Sequence, residues 1–295
     1  MRAFLTGASG FVGHWLRDHL EQCGDSVDEL AVGIDLRDEG SVRDAVRGAE
    51  PDVVYHLAAL THVGQSWEEP EDTIQVNVVG TLHVLEAARS VPRPPKVLLV
   101  SSAEVYGSGE GEALLETAAL APVTPYAASK VAAEYLGLQA FLGRGLHVVR
   151  ARPFNHIGPG QAEAFAVSGL ARRVVEAERT GGSVRVGNLS ARRDFTDVRD
   201  VVRAYRMLAT GGEAGEVYNV CSGVAVQIGE VLDRLVALAS ATVVPVEDPA
   251  LFRPVDVPVL RGDASRLQAA TGWRPTIPLD TTLTEVLDDW RRVAP

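Results

Sequence analysis

A doubly wound α/β fold, with helices on both faces of a mostly parallel sheet and a smaller C-terminal lobe, is what this sequence predicts. Three observations carry it. Short aliphatic and β-branched runs alternate with longer stretches of helical period through the first half. The runs are nearly continuous in apolar residues, as strands buried on both faces require. A glycine-rich turn follows the first run directly and opens a helix.

The strand candidates are Ala3–Thr6, Ala31–Ile34, Val53–Leu57, Val97–Ser101 and His147–Arg150, with a truncated strand around Ser26–Val27. Between them the helical period predicts Val12–Gln22, Ser41–Arg47, Thr73–Ser90 and Pro125–Leu142. The alternation loosens after Arg152. Residues 1–152 are therefore read as one domain, and 153–295 as mainly a second lobe that returns some elements to the sheet. That lobe is expected to hold helices at Ala164–Thr180, Val198–Thr210, Ile228–Ala239 and Thr281–Arg292, and short strands at Val184–Val186 and Val217–Val220. Its last 51 residues, broken by Pro245, Pro249, Pro254, Pro258, Pro275 and Pro278, read as loop-rich.

Composition narrows the functional classes. Of 295 residues, 46% are hydrophobic and 23% charged, the balance of a globular chain. There are 28 cations against 39 anions, a net charge of −11 that argues against nucleic acid or an anionic membrane surface as partner. An anionic ligand must then be met by a local cluster of Arg. Two cysteines, Cys23 and Cys221, exclude a disulfide framework and a cysteine zinc site, and the seven His show no metal-ligand spacing. No apolar run approaches a membrane span, and Gly7 arrives before a signal-peptide core forms. A cytoplasmic location is expected.

Thr6-Gly7-Ala8-Ser9-Gly10-Phe11-Val12-Gly13 carries the chemistry of the first domain. Its G-x-x-G-x-x-G spacing allows a tight turn, close approach of backbone to a pyrophosphate, and close helix–strand contact. The expected ligand is a nicotinamide dinucleotide on a Rossmann-type sheet. An acid is expected about 20 residues on. Asp28 and Glu29 lie in that window, and Asp35 fits a place near the adenine at the end of a third strand. NAD and NADP stay undistinguished.

Thr124-Pro125-Tyr126-Ala127-Ala128-Ser129-Lys130 reads as a helix start, with Thr124 as N-cap and Pro125 at the first position. Tyr126 and Lys130 stand i and i+4 on one face. An ammonium beside a phenol favours the phenolate, which suits proton transfer coupled to hydride transfer. All but two of the 28 cations are Arg, the exceptions being Lys96 and Lys130, and Arg does not relay a proton as Lys does. Ser101-Ser102-Ala103-Glu104-Val105-Tyr106-Gly107 leaves the expected fifth strand at its carboxyl end. Ser102 is placed to hydrogen-bond the reacting oxygen with Tyr126. Glu104 reads either as a base toward a carbon acid or as a structural hydrogen-bonder.

Together with His56-Leu57-Ala58-Ala59 and Asn77, these segments resemble the extended short-chain dehydrogenase/reductases that act on nucleotide sugars. The likeness spans essentially the whole chain. Arg152-Pro153-Phe154-Asn155-His156-Ile157-Gly158-Pro159-Gly160-Gln161 further resembles the substrate loop of bacterial GDP-4-keto-6-deoxy-D-mannose reductases. Gly187-Asn188-Leu189, the run Arg192–Asp200, Gly215–Gly223 and Arg253–Pro258 agree with it.

The resemblance implies that Gly7, Gly10, Phe11, Val12, Gly13, Asp35, Leu36, Leu57, Ala58, Ala59, Tyr126 and Lys130 hold the cofactor. It implies that Asn155, Arg193 and Arg253 grip the sugar and diphosphate, with Asn188 and Asp256 nearby and Ser102 on the carbonyl. The implied reaction is NAD(P)H-dependent reduction of the 4-keto group of a GDP-4-keto-6-deoxy-hexose, with Ser102, Tyr126, Lys130 and Glu104 as the catalytic set. GDP-mannose 4,6-dehydratase, a 4-epimerase of another nucleotide sugar and a non-catalytic dinucleotide sensor are the alternatives. A homodimer through the Thr73–Ser90 and Pro125–Leu142 helices is also implied.

Overall fold

The computed structural model describes residues 1–108, 112–241, 243–251 and 257–293. In the first half, β1 (Arg2–Thr6), β2 (Ser26–Glu29), β3 (Val53–His56), β4 (Lys96–Val100) and β5 (Val148–Pro153) alternate with helices. The helices are α1 (Phe11–Gln22), α2 (Glu39–Ala49), α3 (Val63–Glu68), α4 (Pro70–Ile74), α5 (Gly80–Arg89) and α6 (Pro125–Arg144). The second half adds β6 (Asn155–Ile157), α7 (Ala166–Thr180), β7 (Ser183–Val186), β8 (Arg192–Asp197), α8 (Val198–Gly211) and β9 (Val217–Val220). It ends with β10 (Ala225–Gln227), α9 (Ile228–Ala237), β11 (Val244–Glu247), β12 (Val259–Leu260), α10 (Ser265–Thr271) and α11 (Leu279–Val293).

Among the described residues the main sheet runs β2-β1-β3-β4-β5-β9, with every neighbouring pair parallel. Its direction of winding reverses between β1 and β3, the point where doubly wound sheets open a crevice for ligands. One face is sealed by a cluster that joins Leu5, Tyr55 and Leu98 to Leu16 of α1 and Tyr205 and Leu208 of α8. The other face packs Phe4, Val54 and Leu99 on Val42 and Val46 of α2 and Val84 and Leu85 of α5. A third cluster, built from Val174, Val184, Leu232 and Leu283, is the core of the C-terminal lobe. Strand β9 and helix α8 are what the second half returns to the sheet and its cover.

Three expectations about the elements change. Ala31–Ile34 is not a strand: Val32 is 88% exposed and Gly33 has φ +96°, outside extended backbone. The place beside β1 is taken by Ser26–Glu29, so the Ser102 segment leaves the fourth strand and not the fifth. The 73–90 helix is interrupted by a π-helical stretch at Gln75–Val79, which separates α4 from α5. Such bulges gather at functional sites, and this one carries Asn77.

Candidate active site

The glycine turn is shaped by backbone contact. Gly7 has φ +77°, and a Cβ on it meets the Ala58 amide nitrogen at 2.7 Å. A Cβ on Gly13 falls 2.2 Å from the Gly7 carbonyl oxygen. The turn after β1 therefore lies directly against Ala58, just beyond the end of β3. Gly10 N-caps α1 without a side chain bonded to its first amides. Those amides, with the helix dipole behind them, form a cradle that fits the diphosphate of a dinucleotide.

Buried hydrogen bonds brace this cradle from beneath. Asn77 accepts from the Leu60 amide at 2.7 Å and donates to the Leu60 carbonyl at 3.0 Å and to Ser129 Oγ at 2.9 Å. The Thr81 hydroxyl donates to the Asn77 carbonyl at 2.6 Å, so His56 Nε2, 2.9 Å away, is the donor to Thr81. His56 Nδ1 then accepts from the Thr6 hydroxyl at 2.7 Å. Burial lowers the His56 pKa to about 3, and the nearby Lys130 ammonium adds to the effect. A neutral imidazole thus links β1, β3 and α5, which agrees with a structural role for His56.

For Asp35, what changes is its expected place at the end of a strand. With no strand at 31–34, it lies in a loop, where its carboxylate accepts from the Arg37 amide at 2.9 Å and pairs with the Arg37 guanidinium at 2.6 Å. Arg37 also reaches Asp72 at 3.2 Å. Leu36 is buried beneath Gly80, where a Cβ meets Leu36 Cβ at 2.7 Å. Glu29, at the end of β2, pairs with Arg17 at 3.3 Å. Leu57, Ala58 and Ala59 follow β3 beside the glycine turn, Phe11 and Val12 open α1, and Ala59 is half-buried.

Helix α6 presents the reactive pair. Thr124 Oγ1 accepts from the Ala127 amide at 3.0 Å, and Pro125 occupies the first turn. Ser66 Oγ accepts from the Tyr126 amide at 3.2 Å, while Ser129 Oγ donates to the Tyr126 carbonyl at 2.7 Å. Tyr126 and Lys130 are both buried, with Lys130 Nζ 6.0 Å from the Tyr126 ring centroid. Ser102 lies near enough to the Tyr126 phenol to pull its pKa down, and Glu104 is near enough for its charge to push it up. Ser102 also accepts from the Glu104 amide at 3.2 Å, capping the 3₁₀ turn Ala103–Tyr106.

The electrostatics differ from the expectation that Lys130 depresses the phenol. Burial pushes Tyr126 up to about 12, with Ser102 pulling it down and Glu104 pushing it further up. Lys130 donates to the Val100 carbonyl at 3.0 Å. Burial lowers Lys130 to about 8, opposed by the charge of Glu134. Desolvation is the largest influence on both groups. In this arrangement burial favours the neutral phenol at Tyr126 and weakens the hold of Lys130 on its proton.

The second wall of the cleft comes from the C-terminal half. Strand β6 pairs in parallel with β8, which sets Asn155 opposite Phe195 and His156 opposite Thr196. Asn155 Oδ1 and Thr196 Oγ1 are buried without a hydrogen-bond partner among the described residues. Phe11 of α1 and His156 have parallel rings with centroids 6.3 Å apart, and Trp15 Nε1 donates to the Pro159 carbonyl at 3.2 Å. The two walls therefore touch.

Arg193 is buried and donates to the Val257 carbonyl at 2.6 Å, whereas Arg192 is exposed and 3.8 Å from Glu230. Asn188 Oδ1 accepts from Ser190 N and Oγ at 2.9 and 2.7 Å. Arg253 and Asp256 lie outside the described residues. Asp194, beside Arg193, accepts from Ser222 N and Oγ and from the Gly223 and Gly262 amides, although burial still raises its pKa. It clamps β8 to the loops after β9 and β12. No group of three or more His, Cys, Asp or Glu that could hold a metal is found among the described residues.

One network escaped the sequence reading. Arg152, 4% exposed, donates to Glu134 at 2.9, 3.1 and 2.7 Å and to the Tyr106 hydroxyl at 2.9 Å. Tyr106 donates to Asn219 Oδ1 at 2.7 Å, and the Asn219 amide donates to Glu116 at 2.7 Å. The available signal was Glu134 itself, an acid one turn beyond Lys130 on the same face of α6.

Comparison with known proteins follows the same lines. A family profile described as GDP-mannose 4,6 dehydratase matches residues 28–286. The chain is 39% identical to the GDP-6-deoxy-D-mannose reductase of Pseudomonas aeruginosa, over 98% of this chain and 97% of that protein. It is 28% identical to a GDP-mannose 4,6-dehydratase of Vibrio cholerae, over 88% and 78% respectively. Among solved structures, RMD from Pseudomonas aeruginosa complexed with NADPH superposes with a TM-score of 0.91 at 38% identity, covering 99% of both chains. The chain is a nicotinamide-dependent enzyme of the short-chain dehydrogenase/reductase type, and it belongs to the GDP-mannose 4,6-dehydratase family.

Proposed function

We propose that this enzyme reduces the 4-keto group of a GDP-4-keto-6-deoxy-hexose to GDP-6-deoxy-D-mannose, or to an epimer of it. The observation that carries the reading is the placing of Ser102, just past the carboxyl end of β4, beside the buried Tyr126 of α6, in a chain that is similar along its whole length to a GDP-6-deoxy-D-mannose reductase. The bound nicotinamide supplies the hydride. Ser102 holds the sugar carbonyl, and Tyr126 gives its proton to O4 as negative charge develops there. Lys130, a cation below about pH 8, steadies the phenolate left behind and holds the ribose beside it. Asn155, Asn188, Arg193, Arg253 and Asp256 form the substrate side. Arg is the residue suited to a diphosphate in an otherwise acidic protein.

A second reading, dehydration of GDP-mannose, is favoured by Glu104, whose charge acts on Tyr126 and which is a base suited to the C5 proton. The two are separated by offering the keto-sugar and GDP-mannose in parallel. Net NADPH or NADH consumption with the keto-sugar supports reduction. Keto-sugar made from GDP-mannose with no net change in cofactor supports dehydration and makes Glu104 the base.

A homodimer goes with this reading. Ile74 and Leu82 are exposed at the edge of α4 and on α5, and Tyr135 and Leu142 form an exposed apolar stripe on α6. Pairing these helices with a second copy builds a four-helix interface. A monomer by light scattering at micromolar concentration contradicts it. No described helix is long and apolar enough to cross a membrane.

A further inference from the structure

We infer that Glu134 is a positioning residue for this reaction. It ties the helix bearing Tyr126 and Lys130 to the strand leading into Asn155, and serves as the buried counter-charge of the Lys130 ammonium. The inference rests on the reductase reading for its catalytic consequence but not for its geometry.

Glu134 is fully buried in the same α6 helix as Tyr126 and Lys130, one turn beyond Lys130 and two beyond Tyr126. Its carboxylate takes three hydrogen bonds from Arg152 of β5, and Arg150 of the same strand approaches to 3.9 Å. Three residues after Arg152 the chain reaches Asn155. Through Tyr106, Arg152 also holds the 3₁₀ turn that presents Ser102 and Glu104. One carboxylate thus fixes three parts of the site: proton donor, carbonyl holder and substrate strand. A shift of this helix by a fraction of an ångström misplaces the phenol, and such misplacement costs rate more than binding.

The charged groups around it are unequal. Arg152 and Arg150 face Glu134 from β5, Tyr106 and Glu116 stand beyond Arg152, and Lys130 stands beside it on α6. Around Lys130 are the Val100 carbonyl from β4, neutral His56 from β3 and the Tyr126 phenol. Glu134 is thus the anion whose charge favours the cationic form of Lys130. Arg152 and Arg150 offset part of this charge, and the influence that still reaches Lys130 is the pull of Glu134.

The chain has two lysines, so lysine-selective ¹³C labelling gives two side-chain signals, and Lys96 is an internal control. In the wild-type chain the Lys130 signal is expected to titrate near 8. Glu134→Gln should lower that midpoint by at least ~0.5 units and leave Lys96 unmoved, whereas Glu134→Asp, which keeps the charge, should hold it within ~0.2 units. Glu134→Gln should also lower kcat by about tenfold or more while changing KM for the dinucleotide less than about threefold, with partial recovery in Glu134→Asp.

Should Glu134→Gln fail to fold, Glu134→Gln combined with Arg152→Met removes both buried charges; because the Arg152 cation goes as well, the Lys130 midpoint should fall by less than in the single variant yet still lie below that of the wild type. An unchanged Lys130 midpoint in the folded variant overturns the inference, even if thermal stability falls. If the wild-type enzyme does not reduce the keto-sugar, the functional reading fails, and the lysine titration still decides the role of Glu134.

Discussion

Two walls of one cleft are built by different means. The dinucleotide wall is backbone: Gly7, Gly10 and Gly13 make their contacts because they lack side chains, and Ala58 closes on Gly7 to a distance no Cβ tolerates. The proposed substrate wall is side chains: half-buried Asn155 and buried Arg193 on short strands, Asn188 in a loop, and the Asp194 clamp behind them. Backbone cradles recognise what every dinucleotide shares, whereas side-chain walls carry what differs between sugars. Changes to the first wall should therefore remove cofactor and activity together. Changes to the second should move substrate terms and spare the cofactor.

The hinge between the walls is α6, and the largest effect is expected there. Tyr126→Phe removes the proton donor and should lower kcat about a thousandfold while leaving dinucleotide affinity nearly intact, as read by steady-state rates and cofactor titration. Gly7→Ala comes next. It places a Cβ 2.7 Å from the Ala58 amide at a residue with φ +77°, and should cost roughly 2–3 kcal/mol of stability together with most cofactor affinity. Urea unfolding and cofactor titration on the same sample check both.

Asn77→Ala leaves the Leu60 amide and carbonyl and the Ser129 hydroxyl without their partner. About 2 kcal/mol of stability should go with it, measured by urea unfolding. The smallest effect belongs to Glu104, in the turn after β4: Glu104→Gln should change reduction by less than about tenfold. Loss of all turnover in that variant would sharpen the comparison toward dehydration.

The pH dependence divides the walls in the same way. The folded pKa of Lys130, about 8, lies below its ordinary value, so activity should fall as pH rises through about 8. Stability takes the opposite sign. Between about 8 and the ordinary lysine value the unfolded chain binds the extra proton, so the Lys130 contribution to stability grows with pH there. A rate profile and a set of unfolding curves across that window should cross.

Sequence made the first wall legible because its chemistry lies in spacing. The glycines at 7, 10 and 13, the Thr124-Pro125 helix start and the Tyr126–Lys130 interval each survive into the structure with their neighbours. Composition helped as well, since Lys130 stands out in an arginine-rich chain. What spacing conceals is depth. Tyr126 and Lys130 were read as a pair tuned by each other, yet burial governs both. Ala31–Ile34 read as a strand by its aliphatic residues, but Gly33 turns there and Ser26–Glu29 had already filled the edge. The Arg152–Glu134–Tyr106–Asn219 network joins residues far apart in the chain, and its one local trace is Glu134, an acid one turn beyond Lys130.

The most direct test of the account is to mix the purified enzyme with GDP-4-keto-6-deoxymannose and with GDP-mannose, each with NADPH and with NADH, following reduced-nicotinamide absorbance and the sugar products. The account predicts net cofactor oxidation and a 6-deoxy sugar nucleotide from the keto-sugar alone. Keto-sugar formed from GDP-mannose without net cofactor change, or no turnover in any tube despite tight cofactor binding, would contradict it.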